Sequence, residues 1–416
     1  MPLLRLALLS LRSRALTTAL TAFSIALSIA LLTGVDALRS GTRAGFAGTV
    51  SHTDLVVGAR GGELPLLLST IFHVGDASNN ITWDTYQHVA HLPAVAWTIP
   101  ISMGDSYRGF RVIATDENLY AHYRYRGDHS LGFASGHQPA SVFQATVGSA
   151  VARQLHLQLG QHLTLAHGVE ARSLFNHETT PFTVSGILQQ TGTPIDRAVY
   201  ITLLGEEAMH FGWTDGTPPA IGEPAPKLDV SRLHVGTITS FLLGARSRIS
   251  TLYLQREINT YKPEPLTAII PAYTLQQVWV LLDYADAAFS LMSAAVLVVG
   301  LLTMLVSLYT SLNERRREIA ILRAVGMPHR QVVLLFVSEA VLTAATGVVL
   351  GYTAVYLLLL GLHNTVERWT GTPLLLTRPS GTVLLYGAAT LFFAALLSFL
   401  PALRAYRSSL HDGLSS

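Results

Sequence analysis

The chain has 416 residues, of which 50% are hydrophobic and only 13% are charged, and its formal net charge is +2 at pH 7. Soluble globular domains carry about 25% charged residues, so this composition excludes an ordinary soluble protein. The sequence contains no cysteine, which excludes disulfide bonds and thiolate metal sites.

Four long, nearly uncharged runs account for the low charge. A helix needs roughly 20 apolar residues to cross a hydrocarbon core about 30 Å thick, and each run is long enough. We therefore predict transmembrane helices at residues 15–35, 287–313, 331–362 and 379–403. The first run is longer than the apolar part of a signal peptide, about 7–15 residues, and has no clear cleavage site, so we expect an uncleaved anchor.

The arginines predict the orientation of these helices. Three precede the first run, five lie between the second and third, and Arg404 and Arg407 follow the fourth. Because positive charge marks the cytoplasmic side, residues 1–14, 314–330 and 404–416 are expected in the cytoplasm. The large segment 36–286 and the short loop 363–378 are then expected outside.

The large outer segment has the pattern of an α+β domain. Strands are predicted at 54–62 and after Pro93, and a helix at 82–92. Apolar residues alternate in 182–184 and 199–203, and a strand, a helix and a strand return from 239 to 272. This order fits a domain whose two ends are alike, with a β-rich insertion between them.

No motif in the chain predicts catalysis. A phosphate-binding GxxxxGK[ST] loop is absent, and the only lysines are Lys227 and Lys262, both in the outer segment. We expect no catalytic residue, no cofactor bound by this chain and no nucleic-acid partner. Any ATP hydrolysis is expected in another subunit.

The stretch "NERRREIAILRAVGMPHRQ", residues 313–331, places five arginines between two apolar runs. Its composition predicts a short amphipathic helix with Ile321 and Val325 on one face. Gly326 is a plausible end of this helix, and Pro328 prevents simple continuation. Two interpretations remain: a basic loop on lipid headgroups, or a docking helix for a cytoplasmic partner.

This stretch and the helix after it resemble the C-terminal permease segment of the MacB/FtsX/LolC-E family of ABC transporter subunits. The end of the chain also resembles the family, at Pro401, Ala402 and Ala405, and the segments 147–165 and 182–203 are similar to a MacB-type periplasmic domain. The chain departs from the family at Ala320, where a glycine is usual, and, unlike in MacB, we expect no fused ATPase domain. The matching positions are Arg317, Glu318, Ile319, Leu322, Arg323, Ala324, Gly326, Glu339, Gly347 and Gly351.

The resemblance implies an integral membrane protein of the bacterial inner membrane, with both termini cytoplasmic and a large α+β extracytoplasmic domain inserted between helices 1 and 2 of four. Two subunits are expected to pair, and separate ATPases carrying ATP and Mg²⁺ are expected to dock beneath them. A periplasmic partner or lipoprotein is a further candidate partner. The residues expected to couple to the ATPase are Arg315, Arg316, Arg317, Glu318, Ile321, Leu322, Arg323, Val325 and Gly326.

Three residues of the third helix are predicted to serve helix packing. Gly347 and Gly351 form a GxxxG pattern that lets helices approach closely, either within one subunit or between two. Glu339 is an intramembrane acid, which marks it as a functional candidate. We favour a packing or capping role for Glu339 over a role in proton or substrate handling.

Three functions remain open from the sequence. The first is a permease that transmits mechanical work from the ATPase to the outer domain, for export or extraction of an envelope substrate. The second is an FtsX-like regulatory subunit that signals to an envelope enzyme or sensor. The third is a zinc-linked transport system, because thirteen of the sixteen histidines lie in the outer segment. There, Asp84, His88 and His91 lie on one face of the predicted helix. Two interpretations remain: these side chains bind Zn²⁺ together with a fourth ligand from elsewhere, or they form a solvated polar face.

Overall fold

The computed structural model describes residues 7, 9–12, 14–49, 51–75, 79–168, 177, 180–213, 228–314, 326–370 and 381–411. The chain divides into two compact units. The helical unit falls within residues 1–41, 281–365 and 374–416, and the sheet unit within residues 42–280 and 366–373.

Ten α-helices and fifteen strands are distinguished among the described residues. The helices are α1 (Ala15–Thr49), α2 (Glu63–Phe72), α3 (Trp83–Ala90), α4 (Asn118–His122), α5 (Ser149–Leu155), α6 (Leu203–Met209), α7 (Arg248–Asn259), α8 (Pro271–Glu314), α9 (His329–Thr370) and α10 (Gly381–His411). The strands are β1 (Leu55–Ala59), β2 (Ile81–Thr82), β3 (Val95–Tyr107), β4 (Phe110–Thr115), β5 (Arg124–Tyr125), β6 (His129–Ser130), β7 (Phe133–Gly136), β8 (Gln144–Val147), β9 (His162–Leu163), β10 (Ala166–His167), β11 (Phe182–Leu188), β12 (Ala198–Thr202), β13 (Thr237–Ile238), β14 (Ser240–Ala245) and β15 (Leu266–Ile269).

Four of the described helices are long and apolar enough to cross a membrane. The candidate spans are Ala15–Gly41 in α1, Pro271–Thr310 in α8, Arg330–Leu362 in α9 and Val383–Pro401 in α10. Each contains most or all of one uncharged run predicted from the sequence. The chain therefore has membrane-helix candidates in its N- and C-terminal regions and a large domain of helices and strands between them.

The core of the helical unit is formed by side chains from all four long helices. Ile25 and Ile29 of α1 are fully buried against residues of α8 and α9 such as Met304 and Phe336, and Ala394 of α10 joins the same cluster. Many large side chains on the opposite faces are exposed, for example Phe392 at 64%. A helix that buries one side and exposes apolar residues on the other is typical of a bundle surrounded by lipid.

An ion-pair group joins α1 to α8 within the helical unit. The Arg39 guanidinium lies 2.7 Å from Asp283 Oδ1 and 2.9 Å from Asp286 Oδ2. The Arg39 and Asp283 side chains are 39% and 46% exposed. Solvent screening therefore limits each pair to a contribution of about 0–1 kcal/mol, and the group serves mainly to fix which residues of the two helices face each other.

The sheet unit is built on one large mixed sheet. Its strand order is β15-β1-β14-β3-β4-β12-β8-β11-β7, with β10 paired to β3 and β9 paired to β11. Most neighbours are antiparallel, but β12 runs parallel to β4 and β11 runs parallel to β8. The first and last strands of the unit, β1 and β15, are adjacent, so the two ends of this segment meet in one half of the sheet.

Both faces of this sheet are covered. Along β1, Leu55 and Val57 point into one apolar cluster and Val56 into the other. Helices α3, α5 and α7 supply Val89, Val151 and Leu254 to the first cluster, while α2 and α4 pack on the opposite face. Burial on both faces explains why β1 and β14 read as continuous apolar runs instead of alternating ones.

Strand β3 is interrupted near its end by a β-bulge. Its pairing with β4 shifts between Met103 and Ser106, so Gly104 and Asp105 fall out of register with that neighbour. On its other side β3 pairs with the short strand β10, where His167 lies directly opposite Asp105. Bulges re-aim side chains and are frequent beside functional sites. Here the bulge places a carboxylate next to a histidine.

Candidate functional site

The predicted coupling segment is described only at its end. Arg315, Arg316, Arg317, Glu318, Ile321, Leu322, Arg323 and Val325 lie outside the described residues. Gly326 has a φ of +99°, a left-handed conformation that strongly favours glycine. Helix α9 begins three residues later, after Pro328, whose carbonyl oxygen accepts a hydrogen bond from the Gln331 N–H. The backbone is therefore non-helical at Gly326, where the sequence predicts a break.

The two glycines of α9 lie against α1 of the same chain. A Cβ atom added to Gly347 would lie 2.8 Å from the carbonyl oxygen of Ala22, and one added to Gly351 would lie 2.7 Å from that of Ala26. Side-chain atoms of Ile25 are equally close to Gly347. Of the two packing partners left open by the sequence, the structure therefore shows contact within one subunit. The absence of a Cβ is what permits this helix separation.

Glu339 is buried inside the helical unit, with 3% of its surface exposed. It borders a small cavity of about 30 Å³, which is also lined by Arg14, Thr18 and Thr21 from the N-terminal region and by Ser307 of α8. Several of these lining residues are polar or charged. A carboxyl group in this position faces the interior of the bundle, which is where intramembrane acids are normally found.

Asp84, His88 and His91 occupy helix α3 and its C-terminal cap as predicted, but the structure does not gather them around one point. All three are exposed. The His88 ring stacks on Tyr261 with centroids 5.1 Å apart, and His91 Nδ1 lies 2.6 Å from the carbonyl oxygen of Gln87. Each of the two rings therefore contacts a different neighbour. In this structure the face is exposed and polar. Among the described residues, the group of side chains that could hold a metal ion lies elsewhere.

That arrangement consists of Asp105, His167, His177 and His210, which we call the histidine cluster. One carboxylate oxygen and three imidazole nitrogens, one from each residue, all lie within 4.8 Å of one another. His167 Nδ1 is 3.1 Å from Asp105 Oδ1 and 3.2 Å from His210 Nε2. His177 Nε2 is 3.5 Å from Asp105 Oδ1, and His210 Nε2 is 3.7 Å from Asp105 Oδ2.

Four separate parts of the sheet unit position these side chains. Asp105 is placed by the bulge in β3, and His167 by its pairing with β3 through β10. The His177 N–H donates to the carbonyl oxygen of Leu165. His210 caps the C-terminus of α6. The Trp213 ring covers the cluster, with its centroid 5.0–5.1 Å from those of the three imidazoles.

The electrostatics of the histidine cluster favour an ionised carboxylate. Burial alone would raise the pKa of Asp105, but its interactions with His167, His177 and His210 outweigh that effect and hold its pKa well below the usual range. Burial lowers the pKa of His210, but Asp105 and then Glu206 oppose this effect, and the net direction is upward. Burial also raises the pKa of Glu206 to about 7, although the Ser102 hydroxyl donates to it.

A separate cleft of about 610 Å³ lies in the sheet unit, beside the predicted metal face. Tyr86 and His91 line one side of it, and Asp116, Tyr120 and Thr202 contribute to the rest. Its volume is within the range of small-molecule sites. Burial raises the pKa of Asp116 to about 7. The cleft thus presents a carboxyl group that is partly protonated near neutral pH.

Sequence reasoning did not find the histidine cluster, although it noted the excess of histidine in the outer segment. The four residues are separated by 62, 10 and 33 positions, so no local spacing motif links them. The pairing of β10 with β3 is what joins Asp105 to His167, and neither the two-residue strand nor the bulge has a sequence signal of its own.

Two protein-family models match the chain. Residues 290–410 match the family model described as FtsX-like permease C-terminal, and residues 18–220 match the MacB-like periplasmic core domain. No curated protein matches the chain. Among solved structures, the periplasmic region of MacB from Actinobacillus actinomycetemcomitans is similar at 9% identity, covering 56% of this chain and 94% of its own, with a TM-score of 0.33.

The extracellular domain of the noncanonic ABC-type transporter YknZ from Gram-positive bacteria is similar at 11% identity, covering 52% of this chain and 99% of its own, with a TM-score of 0.31. The two family models match separate segments, one over the N-terminal helix and much of the sheet unit and the other over the C-terminal helices. Together they span most of the chain. The protein is therefore an ABC transporter permease of the MacB/FtsX family.

Proposed function

We propose that this chain is the membrane subunit of an ABC transporter that couples ATP hydrolysis in a separate cytoplasmic ATPase to movement of its outer domain. The observation that carries the proposal is the match of both halves of the architecture, the FtsX-like C-terminal segment and the MacB-like core domain, in one chain. Permeases of this family work with a cytoplasmic ABC ATPase, often as dimers. The movement serves export or extraction of an envelope substrate.

The orientation follows from the arginines. Residues 1–14, 314–330 and 404–416 carry the positive charge that marks the cytoplasmic side, which places both termini and the coupling segment there. The sheet unit is then periplasmic, and the membrane is the bacterial inner membrane. This assignment puts the basic coupling segment on the side where ATP is available.

The ATPase partner supplies the phosphate chemistry. This chain has no phosphate-binding loop, and its two lysines, Lys227 and Lys262, fall in the periplasmic segment. ATP and Mg²⁺ therefore bind in the partner, and residues 315–326 dock on it. Arginines suit such a contact because their guanidinium groups form charge-assisted hydrogen bonds with carboxylates.

The long helices support a mechanical scheme. Helix α8 has 44 residues, about twice the roughly 20 needed to cross the hydrocarbon core. A continuous helix carries a displacement from one end to the other because its backbone hydrogen bonds resist bending. The close α1–α9 packing at Gly347 and Gly351 makes those two helices move together. In this scheme the helices transmit a conformational change across the membrane, and no substrate passes between them.

The test uses the cysteine-free sequence as its background. Ile249, at the start of α7, is 86% exposed, so Ile249→Cys gives a single site for a spin label. Labelled protein is purified with its ATPase and reconstituted in nanodiscs, and the label-to-label distance in the dimer is measured without nucleotide and with ATP and vanadate. We expect a nucleotide-dependent shift in the distance distribution.

Leu322→Asp in the labelled protein supplies the uncoupled comparison. It is expected to abolish the nucleotide-dependent shift, whereas Gly361→Ala, at a position with open space around it, is expected to retain it. A distance that stays fixed while the complex hydrolyses ATP would overturn the mechanical proposal. Labelling of Ile249→Cys by an impermeant maleimide only after cell lysis would overturn the orientation.

A further inference from the structure

The histidine cluster has the composition of a transition-metal site, and it lies outside the membrane-coupling machinery. We propose that Asp105, His167, His177 and His210 bind one Zn²⁺ ion in the sheet unit, as a closed four-ligand site. This proposal goes beyond the coupling function and does not depend on it.

The spacing of the ligand atoms fits a tetrahedral ion. Zn–N and Zn–O bonds of about 2.0–2.1 Å place neighbouring ligands of a regular tetrahedron about 3.3–3.4 Å apart. Asp105 Oδ1 lies 3.1 Å from His167 Nδ1 and 3.5 Å from His177 Nε2, and the two nitrogens His167 Nδ1 and His210 Nε2 are 3.2 Å apart. With one atom from each residue, all four ligand atoms lie within 4.8 Å of one another. Binding therefore requires the four ligand atoms to draw together from a spread of at most 4.8 Å to about 3.3–3.4 Å.

The protonation states also fit a metal. The carbonyl oxygen of Glu206 lies 3.0 Å from His210 Nδ1. A carbonyl only accepts hydrogen bonds, so the proton of a neutral His210 ring sits on Nδ1 and its Nε2 keeps a lone pair. Such outer contacts orient metal-binding histidines in general. In addition, His177 Nε2 is buried and makes no hydrogen bond of good geometry, although it lies 3.5 Å from Asp105 Oδ1. A buried nitrogen left without a good hydrogen bond is costly, and a bound ion would remove that cost.

The ligand set selects the kind of ion. Imidazole nitrogens suit Zn²⁺ and its transition-metal neighbours, whereas Ca²⁺ takes six to eight oxygen ligands and Mg²⁺ demands octahedral oxygen coordination. Three histidines and one carboxylate fill all four positions of tetrahedral Zn²⁺. A filled shell leaves no place for a reactive water, so the site is structural or regulatory and not hydrolytic.

The ion would cross-link residues that are far apart in the sequence. It would join β3, β10, the chain at His177 and the end of α6, and Trp213 would cover it. The Asp105 and His177 side chains are 2% exposed, but those of His167 and His210 are 38% and 26% exposed. This exposed edge gives the ion an entry path. Because the four ligands meet only in the folded domain, a bound ion would stabilise the folded state.

The experiment uses the full-length protein, purified in detergent, stripped with a chelator and titrated with ZnCl₂ against a chromophoric competitor. We expect one Zn²⁺ per chain and no binding of Mg²⁺ or Ca²⁺. Titration with Co²⁺ is expected to give the intense visible bands of four-coordinate Co²⁺. Weak bands typical of six-coordination, or no stoichiometric Zn²⁺ binding by the wild type, would overturn the proposal.

Two double variants locate the ion. Removal of an outer-shell partner alone typically weakens a metal about 10–100-fold, so His167→Gln/His210→Gln should weaken Zn²⁺ by at least about 100-fold. The matched control His88→Gln/His91→Gln, on α3, should bind within about twofold of the wild type. Loss of binding in the control, or its retention in the cluster variant, would place the ion elsewhere and refute the assignment.

A folding control accompanies the cluster variant. Without metal, the wild type and the variant should melt at similar temperatures, and Zn²⁺ should raise the melting temperature of the wild type alone. If His167→Gln/His210→Gln does not fold, His167→Asn replaces it, because His167 is the most exposed of the four ligands. Unaltered Zn²⁺ affinity in that variant would also refute the site.

Discussion

Replacement of either α9 glycine by alanine should loosen the contact between α9 and α1. The new Cβ of Gly347→Ala would lie 2.8 Å from the Ala22 carbonyl oxygen, and that of Gly351→Ala 2.7 Å from the Ala26 carbonyl oxygen. Both atoms in the way belong to the backbone of α1, so no side-chain rotation relieves the clash. The helices must separate instead. Gly361→Ala, in the same helix with nothing within 4 Å of its Cβ, is the matched control.

The magnitude follows from comparing the variants with that control. Overpacking a close contact costs about 1–3 kcal/mol, while alanine in place of glycine gains about 1 kcal/mol in helix propensity. The propensity gain is common to all three variants and cancels in the comparison. We therefore expect Gly347→Ala and Gly351→Ala each to be less stable than Gly361→Ala by about 1–3 kcal/mol.

The assay is unfolding of the purified protein in mixed micelles with increasing SDS, followed by far-ultraviolet circular dichroism. The fraction of dimer is measured in parallel by size-exclusion chromatography with light scattering. Equal stability of the three variants would refute the α1–α9 packing. A lower dimer fraction with unchanged stability would place the two glycines at a subunit interface.

Three further predictions concern other parts of the chain. Leu322→Asp should abolish co-purification of the ATPase at normal membrane levels, because loss of a central interface residue typically costs about 1–3 kcal/mol or more in binding free energy. Arg317→Ala should weaken docking and reduce its salt sensitivity. Retention of the ATPase by Leu322→Asp would contradict docking. Phe336→Ala should lower the free energy of unfolding by about 3–5 kcal/mol in the SDS assay, since Phe336 is 1% exposed in the helical core. A change below about 1 kcal/mol would contradict that burial. Burial raises the folded-state pKa of Asp116 to about 7 from its usual 3.8. Its contribution to stability is therefore present below pH 3.8 and is lost as the pH rises to 7. Asp116→Asn should reduce the fall in melting temperature between these two pH values, and an unchanged fall would contradict the raised pKa.

Local patterns in the sequence determined much of this fold. The lengths of the uncharged runs predicted long apolar helices, because a hydrocarbon core leaves the backbone few other ways to satisfy its hydrogen bonds. Alternation in 182–184 and 199–203 predicted β11 and β12, and the stretch before Pro93 predicted α3. The resemblance to the permease family was also visible in the sequence, because most of the residues that carry it lie within one continuous segment, 313–351.

The tertiary structure decided the rest. The GxxxG pattern showed that a helix would approach closely, but only the packing shows that Gly347 and Gly351 contact α1 of the same chain. The face of α3 offered Asp84, His88 and His91 at a suitable spacing, yet neighbouring groups turn the two rings apart. The histidine cluster has the opposite character: its ligands are distant in sequence and meet because a bulge in β3 and the pairing of β10 bring Asp105 opposite His167. Helical spacing is visible in a sequence because it depends on neighbouring residues, whereas a site assembled from four chain segments depends on strand register, which the sequence alone does not reveal.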